Sequence, residues 1–208
     1  MLPSEINTIS LNEFLPFIMA NCPELPESIA QAYLRQTCID FCQRSSILRR
    51  HVTIDLQEGV SNYPIWPNGN EQVVRINQVS SGGKNLRGQR NHYSLPSCGT
   101  FTVQDGFVIL SSPVNYDADD ALHIEMTVTP SRKACEIDEL LYQDWQEAIE
   151  DGTLARLFLL PNYPFSDPRL AMVRSRSYAD HIIRARVRAS RSNQTDAVFA
   201  VATPFLGC

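Results

Sequence analysis

The sequence predicts an α+β fold: a helical bundle formed by N- and C-terminal helices, an inserted antiparallel β module, and an extended C-terminal arm. Apolar residues recur at three-to-four spacing over residues 27–46 and again beyond 134, as a helix with one buried face requires. From about 50 to 130 the period falls to two and turn signals interrupt it. The last residues follow neither pattern. The expected boundaries are a bundle over 1–49 and 131–191, a β module over 50–130 and an arm over 192–208.

At the N-terminus, Ser10 and Glu13 have capping-box spacing ahead of "FLPFIMA", which predicts a short helix over 11–20 bent or restarted around Pro16. "NCPELPES" reads as a loop, and Pro26 suits the first turn of a second helix running to about 46. Ala30, Leu34, Cys38, Phe41 and Cys42 form its apolar stripe. In "HVTIDL" Val52, Ile54 and Leu56 alternate with His51, Thr53 and Asp55, the pattern of a half-buried strand. Further strands are expected around 63–66, in "QVVRINQV", "GTFTVQ", "FVILSS" and "LHIEMTV". Asp105-Gly106 marks a tight hairpin between two of them.

Helical spacing returns at about 134, with Ile137, Leu140, Leu141, Trp145, Ala148 and Ile149 on one face and Gly152 as the stop. Thr153 then caps a short helix ended by Pro161. Ser166-Asp167-Pro168 starts a last long helix to roughly 190.

A chain of 208 residues with 43% hydrophobic and 20% charged residues has the material for a packed core. Its net charge of −5 argues against a surface that binds nucleic acid or anionic membrane throughout. No apolar run approaches the roughly 20 residues that span a bilayer. "MLPSEINTIS" lacks a basic region followed by an apolar stretch, so no leader is expected and folding in a cytoplasm is the default. The six cysteines show no small-scaffold spacing, and free, mostly buried thiols are expected.

Few residues point to chemistry. Cys38 and Cys42 lie four apart on a helix, close enough to share a metal, but no C-x2-C pair or neighbouring histidine completes a site, and both fall on the apolar stripe. His51, His92, His123 and His181 stand in no ligand or triad context. "SSGGKNLRGQ" lacks the spacing of a phosphate loop, and the carboxylates of "CEIDELLYQDWQEAIEDG" fit the wet side of an amphipathic helix. Catalytic, metal and cofactor residues are accordingly expected to be absent. The basic residues are more informative: Arg184, Arg188 and Arg191 share a helix face by spacing, either as a phosphate-binding stripe or paired with acidic residues of this chain or of a partner. Beyond them Val198, Phe199, Val201, Pro204, Phe205 and Leu206 make the arm apolar. It either folds back on this chain or docks on another subunit, for instance by adding a strand to a sheet edge.

The run "EFLPFIMANCPELPESIAQAYLRQTCIDFCQRSSILRR", the following "VTIDLQEGVSNYPI", and later "VNYDADDALHIEMTVTPS" and "IDELLYQDWQEAIEDGTLARLFLLPNYPFSDPRLA" resemble the head-to-tail adaptors of short-tailed bacteriophages. The likeness covers roughly residues 10–190 and lies in pattern, not in a catalytic signature. It implies a structural virion protein without enzymatic activity, made in the host cytoplasm and resident at the head-tail junction. Copies would form a ring, usually dodecameric, between the portal protein and a downstream tail or nozzle protein. Genomic DNA would pass through the channel without sequence-specific binding. On that implication Val198, Phe199, Val201, Pro204, Phe205 and Leu206 anchor the portal contact, and Arg184, Arg188 and Arg191 pair at inter-subunit or portal contacts. Two rival functions remain: a nucleic-acid-binding protein using the arginine-rich helix, and a small hydrolase or transferase whose site is assembled in space.

Overall fold

The computed structural model of the chain describes residues 6–65, 67, 69–89 and 99–191. A three-residue strand β1 (Thr8–Ser10) leads into one turn of 3-10 helix, Leu11–Phe14, and then α1 (Leu15–Asn21). The Ser10 hydroxyl accepts the Asn12 N–H at 3.2 Å, and Pro16 sits in the first turn of α1, where its missing N–H has no helical partner to lose. Helix α2 (Glu27–Ser45) follows Pro26 and stops at Ser46, which turns into the left-handed region at φ 59°. Its buried apolar residues, Ala30, Leu34, Cys38, Phe41 and Cys42, are those the spacing selected, and Thr37 and Ser45 are buried with them.

The strands form two four-stranded sheets and a separate pair. In the first sheet β2 (Arg49–Leu56), β9 (Ala118–Pro130), β4 (Glu71–Ser81) and β5 (Lys84–Asn85) lie in that spatial order, with β9 paired antiparallel on both sides. Leu122, Ile124, Met126 and Val128 of β9 are fully buried, whereas His123 points to solvent. That alternation is the strand period at work. The second sheet has the order β3 (Asn62–Pro64), β8 (Phe107–Leu110), β7 (Thr100–Gln104) and β6 (Arg87–Gly88). Asp105 and Gly106, at φ 50° and 81°, make the tight turn between β7 and β8.

After the sheets, β10 (Glu136–Asp138) returns to pair with β1. Helix α3 (Glu139–Gln143) starts under an Asp138 cap, whose Oδ1 accepts the Leu140 N–H at 2.8 Å. Helices α4 (Gln146–Leu157) and α5 (Pro168–Ser190) complete the chain. Asp167 caps α5 by accepting the N–H groups of Arg169 and Leu170 at 2.8 and 3.1 Å. α4 is enclosed on all sides, with Ala148 to Ala155 buried without a gap. One apolar core takes in residues of helices and sheets alike, and each fully buried Leu, Ile or Phe in it contributes roughly 1.5–3 kcal/mol.

Two ionic clusters hold the layers in register. Arg50 of β2 reaches Glu71 of β4 and, at 2.5 Å, Asp138 Oδ2 of β10. Burial opposes the Arg50 charge, but the bonds and charges of Glu71 and Asp138 more than offset it and raise its pKa. At the other cluster Asp40 of α2 accepts from the Tyr178 hydroxyl at 2.9 Å and pairs with Arg156 at 3.2 Å, joining α2, α4 and α5.

The expected helical bundle with an inserted β module is not what the chain adopts. The fold is mixed α/β, about 40% helix and 31% strand, with several multi-stranded sheets and five α-helices among the described residues. Strands β1 and β10 lie inside the segments read as helical, each three residues long and so too short for any period to register. α2 packs directly on β9, so the sheet forms a wall of the same core. The sheet region is not wholly antiparallel either, because β6 pairs parallel with β7. The break expected at Gly152 falls instead at Asp144 and Trp145, between α3 and α4.

Gly152 lies inside α4 for a packing reason: a Cβ there would meet Thr37 Cγ2 and the Tyr178 ring, each at 2.7 Å. In an open helix Gly→Ala stabilises by roughly 0.5–1 kcal/mol. Here Gly152→Ala forces α4 away from α2 and α5, and should destabilise by about 1–3 kcal/mol, read as a lower denaturant midpoint. Glu150, 6% exposed, has its pKa raised by burial first and by nearby Asp151 and Glu147. Its ionised form is therefore penalised in the folded state, a loss that is absent below the ordinary glutamate range and grows as pH rises through the raised pKa. Glu150→Gln, which keeps the acceptor for Gln146, should melt higher than the parent at neutral pH, with the advantage vanishing in acid.

Candidate interaction surfaces

The inward face of α5 carries Ala171, Tyr178, Ile182, Ala185 and Ala189, all buried. Their positions fix the rotation of the helix, and with it the direction of every arginine. Arg174 turns in to Asp151 at 2.6 Å, and Arg188 to Asp144 at 2.7 Å, with its guanidinium 6.0 Å from the Trp145 ring. Arg186 donates to the Arg44 carbonyl at 2.9 and 3.2 Å. Arg49 of β2 closes the end of the helix by donating to the Ala189 carbonyl at 2.6 Å while pairing with Glu125 at 3.0 Å.

The three arginines that spacing placed on one face therefore divide. Arg188 is engaged within the chain; Arg184 is exposed, and its side chain has no hydrogen-bond or ion-pair partner among the described residues. Arg191 is exposed at the end of α5. The arm residues Val198, Phe199, Val201, Pro204, Phe205 and Leu206 lie outside the described residues. Sequence reasoning missed the apolar side chains beside Arg184: Met172, Val173, Ile183 and Val187 are 59, 62, 58 and 43% exposed. Their signal was available, because they fall on the helical phase opposite Tyr178 and Ile182.

A second charged region forms where β2 ends and β9 begins. Asp55, Glu58, Asp117, Asp119 and Asp120 are exposed there, with Tyr116 51% exposed beside them. Two of the carboxylates shape the backbone: Asp117 accepts the Glu58 N–H and Asp55 the Asp120 N–H, at 2.7 and 2.8 Å. Lys84 of the neighbouring β5 lies at the same end of the sheet.

A cleft of about 880 Å3 runs between β4 and the β6–β7 edge, lined by Ile65, Val74, Ile76, Leu86, Phe101 and Val103 among others. Its charged lining residues are Glu71, already held by Arg50, and Arg75. His51 and His123 stand on the exposed face of the first sheet, with Glu125 paired across from His51. Among the described residues no three His, Cys, Asp or Glu side chains are placed to hold a metal ion, and no helix is long and apolar enough to cross a membrane. His92 lies outside the described residues.

Cys38 and Cys42 are fully buried in the stripe of α2. Burial pushes the Cys38 thiol up to about 12 and the Cys22 thiol to about 11, and raises Cys42 well above its ordinary value, so thiolate is scarce at neutral pH. No protein-family model matches the sequence, and no curated protein matches it.

In the native chain a thiol-specific disulfide reagent should label Cys135, which is exposed, within the mixing time, and leave Cys22, Cys38 and Cys42 unmodified until denaturant is added. Peptide mass mapping before and after unfolding reads both outcomes.

Proposed function

We propose that the chain is a structural head-to-tail adaptor of a short-tailed phage virion, acting by assembly and not by catalysis. Subunits dock side by side on the portal ring, extend the DNA channel and present their other end to the tail or nozzle protein. The observation that supports this most is the outer face of α5. Four large apolar side chains stand in solvent there beside Arg184 and Arg176, on the helix that precedes the arm in sequence. Apolar groups mixed with arginine make a surface suited to protein contact. A net charge of −5 also suits a conduit past which DNA must slide.

In this reading Val198, Phe199, Val201, Pro204, Phe205 and Leu206 gain order as they bind the portal. Ordering costs affinity at each contact, and the ring restores it by multiplying contacts. Nucleic-acid binding through α5 is the second reading, favoured by the outward Arg169, Arg176 and Arg184. Asp180 and the interleaved apolar residues weigh against it, since a backbone-binding helix gains from continuous cationic contacts.

Native mass spectrometry of the chain with the assembled portal ring of the same genome tests the proposal. A defined layer of added subunits is expected, lost on deleting residues 193–208 while the circular dichroism of the folded chain persists. No association at any ratio would overturn it. If the chain instead retains DNA with steep salt dependence, abolished in Arg176→Ala with Arg184→Ala, the second reading takes its place.

A further inference from the structure

We propose that copies of this chain associate head to tail, the outer face of α5 on one copy docking against the acidic end of β2 and β9 on the next. The α5 surface consists of Met172, Val173, Ile183 and Val187, with Arg169, Arg176 and Arg184 exposed among them and Asp180 as an acidic residue on the same face. Arg169 and Arg184 have no side-chain hydrogen-bond or ion-pair partner among the described residues, and Arg176 reaches only the Met172 sulfur, at 3.8 Å. Single exposed apolar residues are ordinary, but four on one helix face beside arginines with no ion pair among the described residues leave a surface that gains by being covered.

Charge decides what covers it. Two α5 faces set against each other would bring two net-positive surfaces together, because Asp180 is the one acidic residue on the face against Arg169, Arg176 and Arg184, a repulsive arrangement. The acidic end offers the complement: Glu58, Asp117 and Asp119 for the arginines, and Tyr116 as an exposed aromatic for the apolar positions. One chain cannot bring its own two surfaces together. α5 ends against Arg49 at the start of β2, and seven residue steps along that strand carry the acidic end roughly 23 Å away. Contact between two different patches is heterologous, and repeats as a ring when the rotation closes.

This deepens the adaptor reading and rests on it only for the closed ring; the contact itself is tested without portal, so failure to dock on a portal and failure to self-associate are separate results. Sedimentation velocity of the full chain over a concentration series at low salt, repeated at high salt, is the measurement. Two exposed pairs are reversed: Arg176→Glu with Arg184→Glu, and Glu58→Lys with Asp119→Lys, their folding checked by circular dichroism. The parent chain should associate with rising concentration, and each variant alone at least about tenfold more weakly. An equimolar mixture of the two variants should regain association, because reversed faces meet reversed ends and native faces meet native ends. A parent chain that stays monomeric throughout overturns the proposal, including the case in which its own residues 192–208 cover α5. So does association that either variant leaves unchanged, or a mixture of folded variants that does not recover.

Discussion

The crossing of α2, α4 and α5 is the constraint on which the rest of the molecule depends. Gly152 lets Thr37 and the ring of Tyr178 approach α4 more closely than any side chain would permit. The Tyr178 hydroxyl then donates to Asp40 and to the Thr37 carbonyl, at 2.9 and 3.3 Å, while Arg156 neutralises Asp40. Burial, followed by the Asp40 charge, raises the Tyr178 pKa, so the phenol stays protonated and keeps donating. This contact locks the rotation of α5. Because Tyr178 and Ile182 must face inward, Val173, Ile183 and Arg184 must face outward, and the exposed apolar and cationic face follows from the core.

Charge is distributed with the same economy. Arg50 ties three strands through Glu71 and Asp138, and Asp138 uses its other oxygen to start α3. Arg49, Arg174, Arg186 and Arg188 each hold α5 to a neighbouring element. Among the exposed charges, Arg169, Arg176 and Arg184 make the outer face of α5 net cationic, and Asp55, Glu58, Asp117, Asp119 and Asp120 make the region where β2 meets β9 anionic. Exposed charge of this kind steers encounter and rejects wrong geometries more than it adds affinity.

Much of this was legible in the sequence where a local rule governs. The Asp167-Pro168 start of α5, the Asp105-Gly106 hairpin and the alternation in β2 and β9 each express chemistry contained within a few residues. The losses came where the deciding partner is remote. Gly152 looks like a helix stop until Thr37, 115 positions earlier, is seen to need its empty space. β1 and β10 are strands because they have each other, with Thr8 paired to Asp138 and Ser10 to Glu136 across a long stretch of intervening chain. Periodicity grouped Arg184 with Arg188, but only the tertiary position of Asp144 shows that Arg188 is engaged. The apolar face of α5 is interleaved with arginines in sequence, so only the helical phase set against the buried Tyr178 and Ile182 separates it from the core stripe.

The central claim is that this chain is a ring-forming link between portal and tail, and electron microscopy of the chain assembled on its portal tests it most directly. The account predicts an added layer of subunits following the portal symmetry, α5 of each at the boundary with the next, and density for residues 192–208 against the portal. A map of a saturated mixture with no added layer, or with α5 facing solvent away from every neighbour, would contradict it.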